Sequence, residues 1–331
     1  MRKALFKCKK FTNRKNMKKY SFLFLLFFLC FTHLSASIEN YFKACPEKSQ
    51  VPSKQVKKID FIYMINLDQR PEKFTQSLSE LAPYGITPYR FSAVNGWELS
   101  LETLNDVGVK FQKGMLSIPG NVYLPDENFN HRHEKLQVEG RNYFGNNMSR
   151  GAIGIILSHL SILQDAFDSG YKTIWVMEDD IQVIKNPHLI SEMISKLDAQ
   201  VGKKGWDILF TDKDTKDQKG SYVVCSSYAQ RPNFTPANVE RFSMKQNISN
   251  DFRQIGARYG AYSMIIRRSG MRKLLKFFKK YQIFLPYDMD FCMPNNIKLF
   301  TVIDDIVSTL PKTFSDNGLP NYKKKRKIYD Y

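Results

Sequence analysis

Cysteine is scarce in this chain, and none of it stands at zinc spacing. The five residues, Cys8, Cys30, Cys45, Cys225 and Cys292, form no CxxC pair, so nothing supports a structural zinc site. No internal repeat is visible, which gives no support to a solenoid or propeller. No apolar run reaches the ~20 residues that span a bilayer. The clearest one, "FLFLLFFLCF" at Phe22–Phe31, is about half that length. Acid is missing altogether from residues 1–19, which carry Arg2, Lys3, Lys7, Lys9, Lys10, Arg14, Lys15, Lys18 and Lys19.

What is present makes a sizeable globular protein. The chain has 331 residues, of which 43% are hydrophobic and 14% aromatic, enough for one large domain or two small ones and inconsistent with general disorder. The formal charge of +18 is uneven. A basic segment, a short apolar core and the small-residue stretch "THLSAS" follow one another in the order of a secretory signal. Ser35-Ala36-Ser37 offers a cleavage point, and Met17 opens a more usual signal than Met1 does. A short uncleaved anchor is the rival reading of residues 1–37. Their removal takes away nine positive charges and no negative ones, leaving +9. Three cysteines would then remain, enough for one disulfide in an oxidising compartment, with no basis for choosing the pair. The expected location is exported or membrane-associated, in a periplasm or an endomembrane lumen.

Residues 38–57 read as a linker. A strand is expected at Ile59–Ile65, then a helix from Pro71, which suits a first helical turn, to about Ala82. "TPYRFSAVNG" is a second strand. This βαβ rhythm predicts a parallel, doubly wound sheet. Residues 97–147 read as a loop-rich insertion, and "HRHEK" within them as loop, since its histidines lack helical spacing. A helix follows, with Ile153, Ile156, Leu157, Leu160 and Leu163 on one face and Gly170 at its end. Strands are expected at "YKTIWVM", at Gly205–Lys213 and around Tyr262–Ile266, the last followed by a basic helix. Asp304-Asp305 reads as a turn between strands. The tail from Asn317 reads as mobile, and its "KKKRK" as a solvated run able to touch anionic lipid or acidic glycan. No aromatic-interleaved basic motif accompanies it, so nucleic-acid binding is not expected.

The stretch "WVMEDDIQV" carries the chemistry. Glu178, Asp179 and Asp180 stand side by side at the end of an apolar strand, where their mutual repulsion opposes folding. In open α/β sheets, ligands bind outside the carboxyl ends of strands. Crowded carboxylates there become favourable once a divalent cation binds. Mg²⁺ or Mn²⁺ is commonly held by one or two carboxylates plus substrate phosphates, and can then stabilise charge on a departing diphosphate. Taken alone, the triplet reads equally as a solvated acidic turn.

Four motifs in order, "INLDQRPEKF", "GIILSHLSILQDA", "WVMEDDIQV" and "GARYGAYSMIIRRSGMRKLL", resemble those of glycosyltransferase family 25, which includes lipooligosaccharide and collagen galactosyltransferases. The resemblance covers about residues 59–308. It implies an α/β fold of GT-A type, with a Rossmann-like, mostly parallel sheet flanked by helices, over residues 58–316. It also implies a UDP-sugar donor, usually Mn²⁺, and inverting transfer, generally of galactose. The acceptor is expected to be a glycan, lipopolysaccharide or glycoprotein.

Carried over residue by residue, Asn66, Asp68 and Arg70 hold the nucleotide, the Arg70 fork offsetting diphosphate charge. A loop arginine paired with Asp68 is the bland alternative. Ser158 and His159 fall on the Leu-Ser-His motif; a hydrogen-bonded core histidine is the alternative there. Where the family often has Cys before that motif, this chain has Gly154-Ile155-Ile156, read as a packing difference. Asp180 is assigned to direct metal contact and Glu178 to ribose or metal-bound water. Asp179, the remaining member of the metal triplet, is turned elsewhere by strand alternation. Inversion needs a general base; Asp288 and Asp290 are the candidates, with Asp288 favoured and a helix cap as the alternative role. Gly260 and Tyr262 are expected to line the sugar pocket. The rival functions are a catalytically silent, secreted binding protein and a basic membrane-surface protein.

Overall fold

The strand β1, Phe61–Asn66, is buried at every position, as a strand covered on both sides must be. In the computed structural model, residues 37–125, 131–217, 219–310 and 315–323 are described. The signal or anchor reading of residues 1–36 and most of "KKKRK" fall outside them. The described residues from Ile38 onward form one compact unit.

After β1 the chain makes α1 (Pro71–Leu81), β2 (Tyr89–Ser92) and α2 (Leu101–Val107). Four short strands follow: β3 (Val109–Lys110), β4 (Pro119–Tyr123), β5 (His131–Lys135) and β6 (Asn142–Gly145). Then come α3 (Arg150–Asp168), β7 (Thr173–Glu178), β8 (Ile181–Val183), α4 (Leu189–Val201) and β9 (Ile208–Phe210). The small strands β10 (Thr215–Lys216), β11 (Tyr222–Val223) and β12 (Lys245–Asn247) lead into β13 (Phe252–Ile255) and β14 (Ser263–Arg267). The last elements are α5 (Arg268–Tyr281), α6 (Tyr287–Asp290), β15 (Leu299–Val302) and β16 (Val307–Thr309).

The main sheet has the order β12-β13-β15-β9-β14-β7-β1-β2. Following the pairings across it, six of the eight strands point one way and only β13 and β14 run against them. This is the expected Rossmann-like, mostly parallel sheet. Alternation along β1 divides the core. Phe61, Tyr63 and Ile65 face α3 and α5, while Ile62 and Met64 face α1 and α4. Ser149 caps α3 by accepting the Ala152 amide at 3.0 Å, and Gly170 ends it at φ +76°, the left-handed turn glycine favours.

Three regions depart from the sequence reading. Residues 97–147 are not mainly loop: they contain α2 and the antiparallel sheet β3-β6-β4-β5. "HRHEK" is the edge strand β5, whose charged, exposed face hides the usual alternation. Residues 38–57, expected as a linker, are attached: Ile38 and Val56 are fully buried, and the Lys43 amide donates to Ser161 at 2.9 Å. The first part of the expected mobile tail, from Asn317, is also fixed: Ser149 Oγ donates to the Asn317 carbonyl, and Asn95 Nδ2 to the Tyr322 hydroxyl at 2.9 Å. Just before it, Trp97 Nε1 donates to the Asp316 carbonyl at 2.8 Å. Asp304 and Asp305 do lie between β15 and β16, as a turn should.

Candidate functional site

The register that pairs Ile65 with Glu178 brings the ends of β1 and β7 together. Beyond them opens a cleft with about 640 Å³ of empty space. Glu178, Asp179 and Asp180 line it, facing Arg70, Lys73, Asn95 and Trp97, with Ser315–Asn317 along one rim. Arg70 and Lys73 belong to the start of α1, where the helix dipole adds to their positive charge. Anionic and cationic groups thus share one solvent-open space.

Glu178 Oε1 lies 3.2 Å from His159 Nε2. The His159 ring is 1% exposed and stacks on Tyr287, with centroids 4.1 Å apart. Its Nδ1 has no hydrogen-bond partner among the described residues. The tautomer with hydrogen on Nε2 therefore leaves no buried donor unpaired, and His159 donates to Glu178. His159 holds the glutamate in place rather than facing the cleft itself. Ser158 acts on the wall: its Oγ donates to the Gly154 carbonyl at 2.7 Å and accepts the Val94 amide at 2.8 Å.

Asp179 does not turn away. β7 ends at Glu178, the backbone bends, and alternation no longer applies. Asn66 Nδ2 holds the Asp179 Oδ2 at 2.6 Å and also donates to the Arg70 carbonyl at 2.8 Å, while Asn66 Oδ1 accepts from Arg90 Nε at 2.8 Å. Asn66 is 1% exposed and its amide is fully committed, so it positions the carboxylate and has no free group for a nucleotide. Burial raises the Asp179 carboxyl above its ordinary range; Lys73, the Asn66 hydrogen bond and Arg70 only partly oppose this, and Glu178 adds to it. Asp180 is anchored through its carbonyl, which accepts the Leu310 amide at 2.7 Å.

Asp68 lies outside this cleft. It accepts from Arg90 at 2.9 Å and Ser92 at 2.6 Å. Partial burial pushes its carboxyl up, but the Ser92 and Arg90 contacts and nearby charge outweigh that and lower it overall. Arg70 is not its partner: Arg70 Nε lies 2.9 Å from Asp316 Oδ2, close in charge though without aligned hydrogen-bond geometry.

The two base candidates separate. Asp290 is fully buried in an ion pair with Arg231, whose guanidinium also donates to the Tyr281 and Gln282 carbonyls at 2.6 and 2.8 Å. It is a structural group. Asp288 is half-buried, and its Oδ2 accepts the Gly260 amide at 3.0 Å. Burial raises its carboxyl, the Gly260 amide lowers it, and the Glu178 charge raises it again. Tyr262, expected at a sugar pocket, does not line the cleft. Its hydroxyl donates to Asp212 at 2.5 Å and accepts from Arg258 at 2.9 Å, in a buried cluster behind the site.

Lys73, Trp97, Asn95 and Asp316 were missed from the sequence. Trp97 follows the Asn95-Gly96 turn, and a tryptophan just past a strand end was a usable signal; Asp316 gave none. The glycine at 154 has a reason. A Cβ there would meet the Gly96 amide nitrogen at 2.5 Å, so helix and loop touch main chain to main chain. Cys45, Cys225 and Cys292 are free thiols. Among the described residues, no group of three or more His, Cys, Asp or Glu forms a ready cage for a metal ion, and no helix is long and apolar enough to cross a membrane.

The family model described as "Glycosyltransferase family 25 (LPS biosynthesis protein)" matches residues 59–293. A glycosyltransferase 25 family member from Aedes aegypti is 28% identical over 169 residues, 51% of this chain and 24% of the relative. A Drosophila melanogaster member is 28% identical over 171 residues, 52% of this chain and 23% of the relative. A human protein named inactive glycosyltransferase 25 family member 3 is 26% identical over 161 residues, 48% of this chain and 23% of the relative. The chain thus spans about a quarter of the length of these curated relatives. With the match running from β1 past the acidic triplet to α6, the chain belongs to glycosyltransferase family 25.

Proposed function

We propose that this chain is a metal-dependent transferase that moves a hexose, galactose by its resemblance, from a UDP-sugar to a hydroxyl of a glycan acceptor. The observation that carries this is the meeting of Glu178, Asp179 and Asp180 with Arg70 and Lys73 in one cleft at the strand ends. Carboxylates suit a hard divalent cation, and cationic side chains at a helix start suit a diphosphate.

The residues fit Mn²⁺ or Mg²⁺. The donor set is carboxylate oxygen, and the raised Asp179 carboxyl marks a buried charge that a cation would offset. The absence of a three-ligand cage among the described residues agrees with an ion that takes its other ligands from phosphate and water. Asp180 and Asp179 would hold the ion, with Glu178, held by His159, toward ribose or a metal-bound water. When bound, the ion would neutralise charge on the departing diphosphate. Arg70 and Lys73 steady the same diphosphate, and Trp97 gives a flat apolar wall. Asp288, set by the Gly260 amide, takes the acceptor proton. The basic, signal-like N-terminal sequence supports an exported or membrane-associated setting.

The test is UDP release by the purified protein from UDP-galactose, UDP-glucose and UDP-N-acetylglucosamine, with Mn²⁺ and with EDTA. Metal-dependent release from one donor is expected, and Asp180→Asn should abolish most of it. Full release by that variant would refute the reading. The second reading, a silent binder, is favoured by relatives whose names include "inactive". UDP binding without release in the presence of varied acceptors would support it.

A further inference from the structure

A second cavity, with about 410 Å³ of empty space, lies beside the cleft. The Asp288 carboxylate faces it, with Tyr228, Tyr259, Met289, Ser227 and Cys292 among its other walls. A continuous chain of contacts joins the two spaces. Glu178 in the cleft is held by His159 at 3.2 Å; His159 stacks on Tyr287 at 4.1 Å; Tyr287 precedes Asp288 in α6. On the other side, the Tyr262 carbonyl accepts the Glu178 amide at 2.9 Å, and two residues earlier Gly260 donates to Asp288 at 3.0 Å. One short segment therefore fixes both carboxylates, one in each space.

The walls of this cavity differ from those of the cleft. Among the described residues Arg258 is its only basic one, and that guanidinium is 1% exposed and paired with Asp212 at 2.9 Å, so no described cation is free to meet a phosphate. Tyr228, Tyr259 and Met289 are half-buried, presenting apolar bodies at the opening. Tyr228 is held rigid by stacking on Phe242, centroids 4.6 Å apart. Aromatic faces around one carboxylate suit a ring with C–H faces and hydroxyl edges. A nucleotide's phosphates would meet a carboxylate there and no free cation among the described walls.

We infer that this cavity is the acceptor subsite, shaped for the terminal hexose ring of a glycan with its reacting hydroxyl on Asp288. The inference rests on the transferase reading above. In the step it serves, the acceptor oxygen bonds to the anomeric carbon. The bond from that carbon to the diphosphate oxygen breaks, its electron pair leaving with UDP, and the hydroxyl proton passes to Asp288.

The test measures binding of methyl β-D-galactopyranoside, methyl β-D-glucopyranoside and methyl N-acetyl-β-D-glucosaminide to the full chain by saturation-transfer NMR, with UDP and Mn²⁺ present. At least one glycoside should bind. Ser227→Trp, at an exposed position, should block the mouth, and Tyr259→Ala should remove a wall. Each is expected to weaken that glycoside by about tenfold or more, which corresponds to ~1.4 kcal/mol, with UDP affinity unchanged. If Ser227→Trp fails to fold, Tyr259→Ala decides. UDP binding with no glycoside binding, or unaltered glycoside binding in the folded variants, would overturn the subsite alone. No UDP binding by the parent protein would overturn the donor site, and the subsite with it.

Discussion

Replacing Asn66 with alanine is the sharpest probe of how the acidic triplet is held. One amide serves three partners: the Asp179 carboxylate at 2.6 Å, the Arg70 carbonyl at 2.8 Å and the Arg90 guanidinium at 2.8 Å. Alanine removes all three contacts at a position 1% exposed, where water cannot readily replace them. Hydrogen bonds to charged groups contribute ~1.5–3 kcal/mol and neutral ones about 1. Asp179 then accounts for about 2 kcal/mol, the carbonyl for about 1, and Arg90, partly exposed, for about 1. The total is about 4 kcal/mol. At roughly 2 °C per kcal/mol, the lower end for a domain of this size, Tm should fall by about 8 °C. UDP affinity in Mn²⁺ should fall as well, because the freed Asp179 carboxylate no longer faces the cleft in one orientation. Differential scanning calorimetry and titration calorimetry on the same preparation read both. An Asn66→Asp control keeps an acceptor for Arg90 but sets a second carboxylate against Asp179, so its UDP affinity should also drop. Asn66→Ala with Tm within about 2 °C of the parent and unchanged UDP affinity would refute the claim that this amide organises the site.

Two further outcomes follow from the base candidates. Asp290→Asn breaks a fully buried ion pair and should cost about 3–5 kcal/mol, read as a lower denaturant midpoint, while the folded fraction keeps its transfer rate; a stable but inactive variant would return Asp290 to the chemistry. Asp288 has its carboxyl raised by burial and by Glu178, so its base form is lost on acidification at a pH above the ~3.9 of a free aspartate. The transfer rate should fall through that region. The sign for stability is opposite: the protonated form is the one the fold favours, so the Asp288 contribution to stability is present below the ordinary carboxylate range and is lost as pH rises through the raised value. Rate and Tm profiles that moved in parallel through this window would contradict the assignment.

Much of the scaffold was legible because a buried strand and a buried helix leave strong periodic traces. β1, β7 and α3 carry long apolar patterns bounded by Pro71, the acidic triplet and Gly170. The small sheet left none. β4 begins with Pro119 and Gly120, and β5 puts charges on its exposed edge. The triplet's place at a strand end was legible, but its internal division was not: alternation holds only while the strand lasts, and the strand stops at Glu178. Asp290 and Tyr262 misled for a related reason. Their partners, Arg231 and Asp212, lie 59 and 50 positions away, and local sequence does not indicate which remote charge a side chain will meet. The segment Asn317–Tyr322 read as tail because it is short and polar, yet Ser149 and Asn95 hold it.

The approach of Gly154 to Gly96 has a bearing on how this pocket can change. Where two backbones touch with nothing between them, their separation is already at its minimum, and any added carbon forces them apart. Substitution at either glycine can only widen the mouth around Trp97. A narrower cleft would have to come from longer side chains at Asn95, Lys73 or Asp316. If the cleft takes the donor as proposed, donor preference in related chains should vary with those three positions, while the spacing between helix and loop works as a fixed gauge.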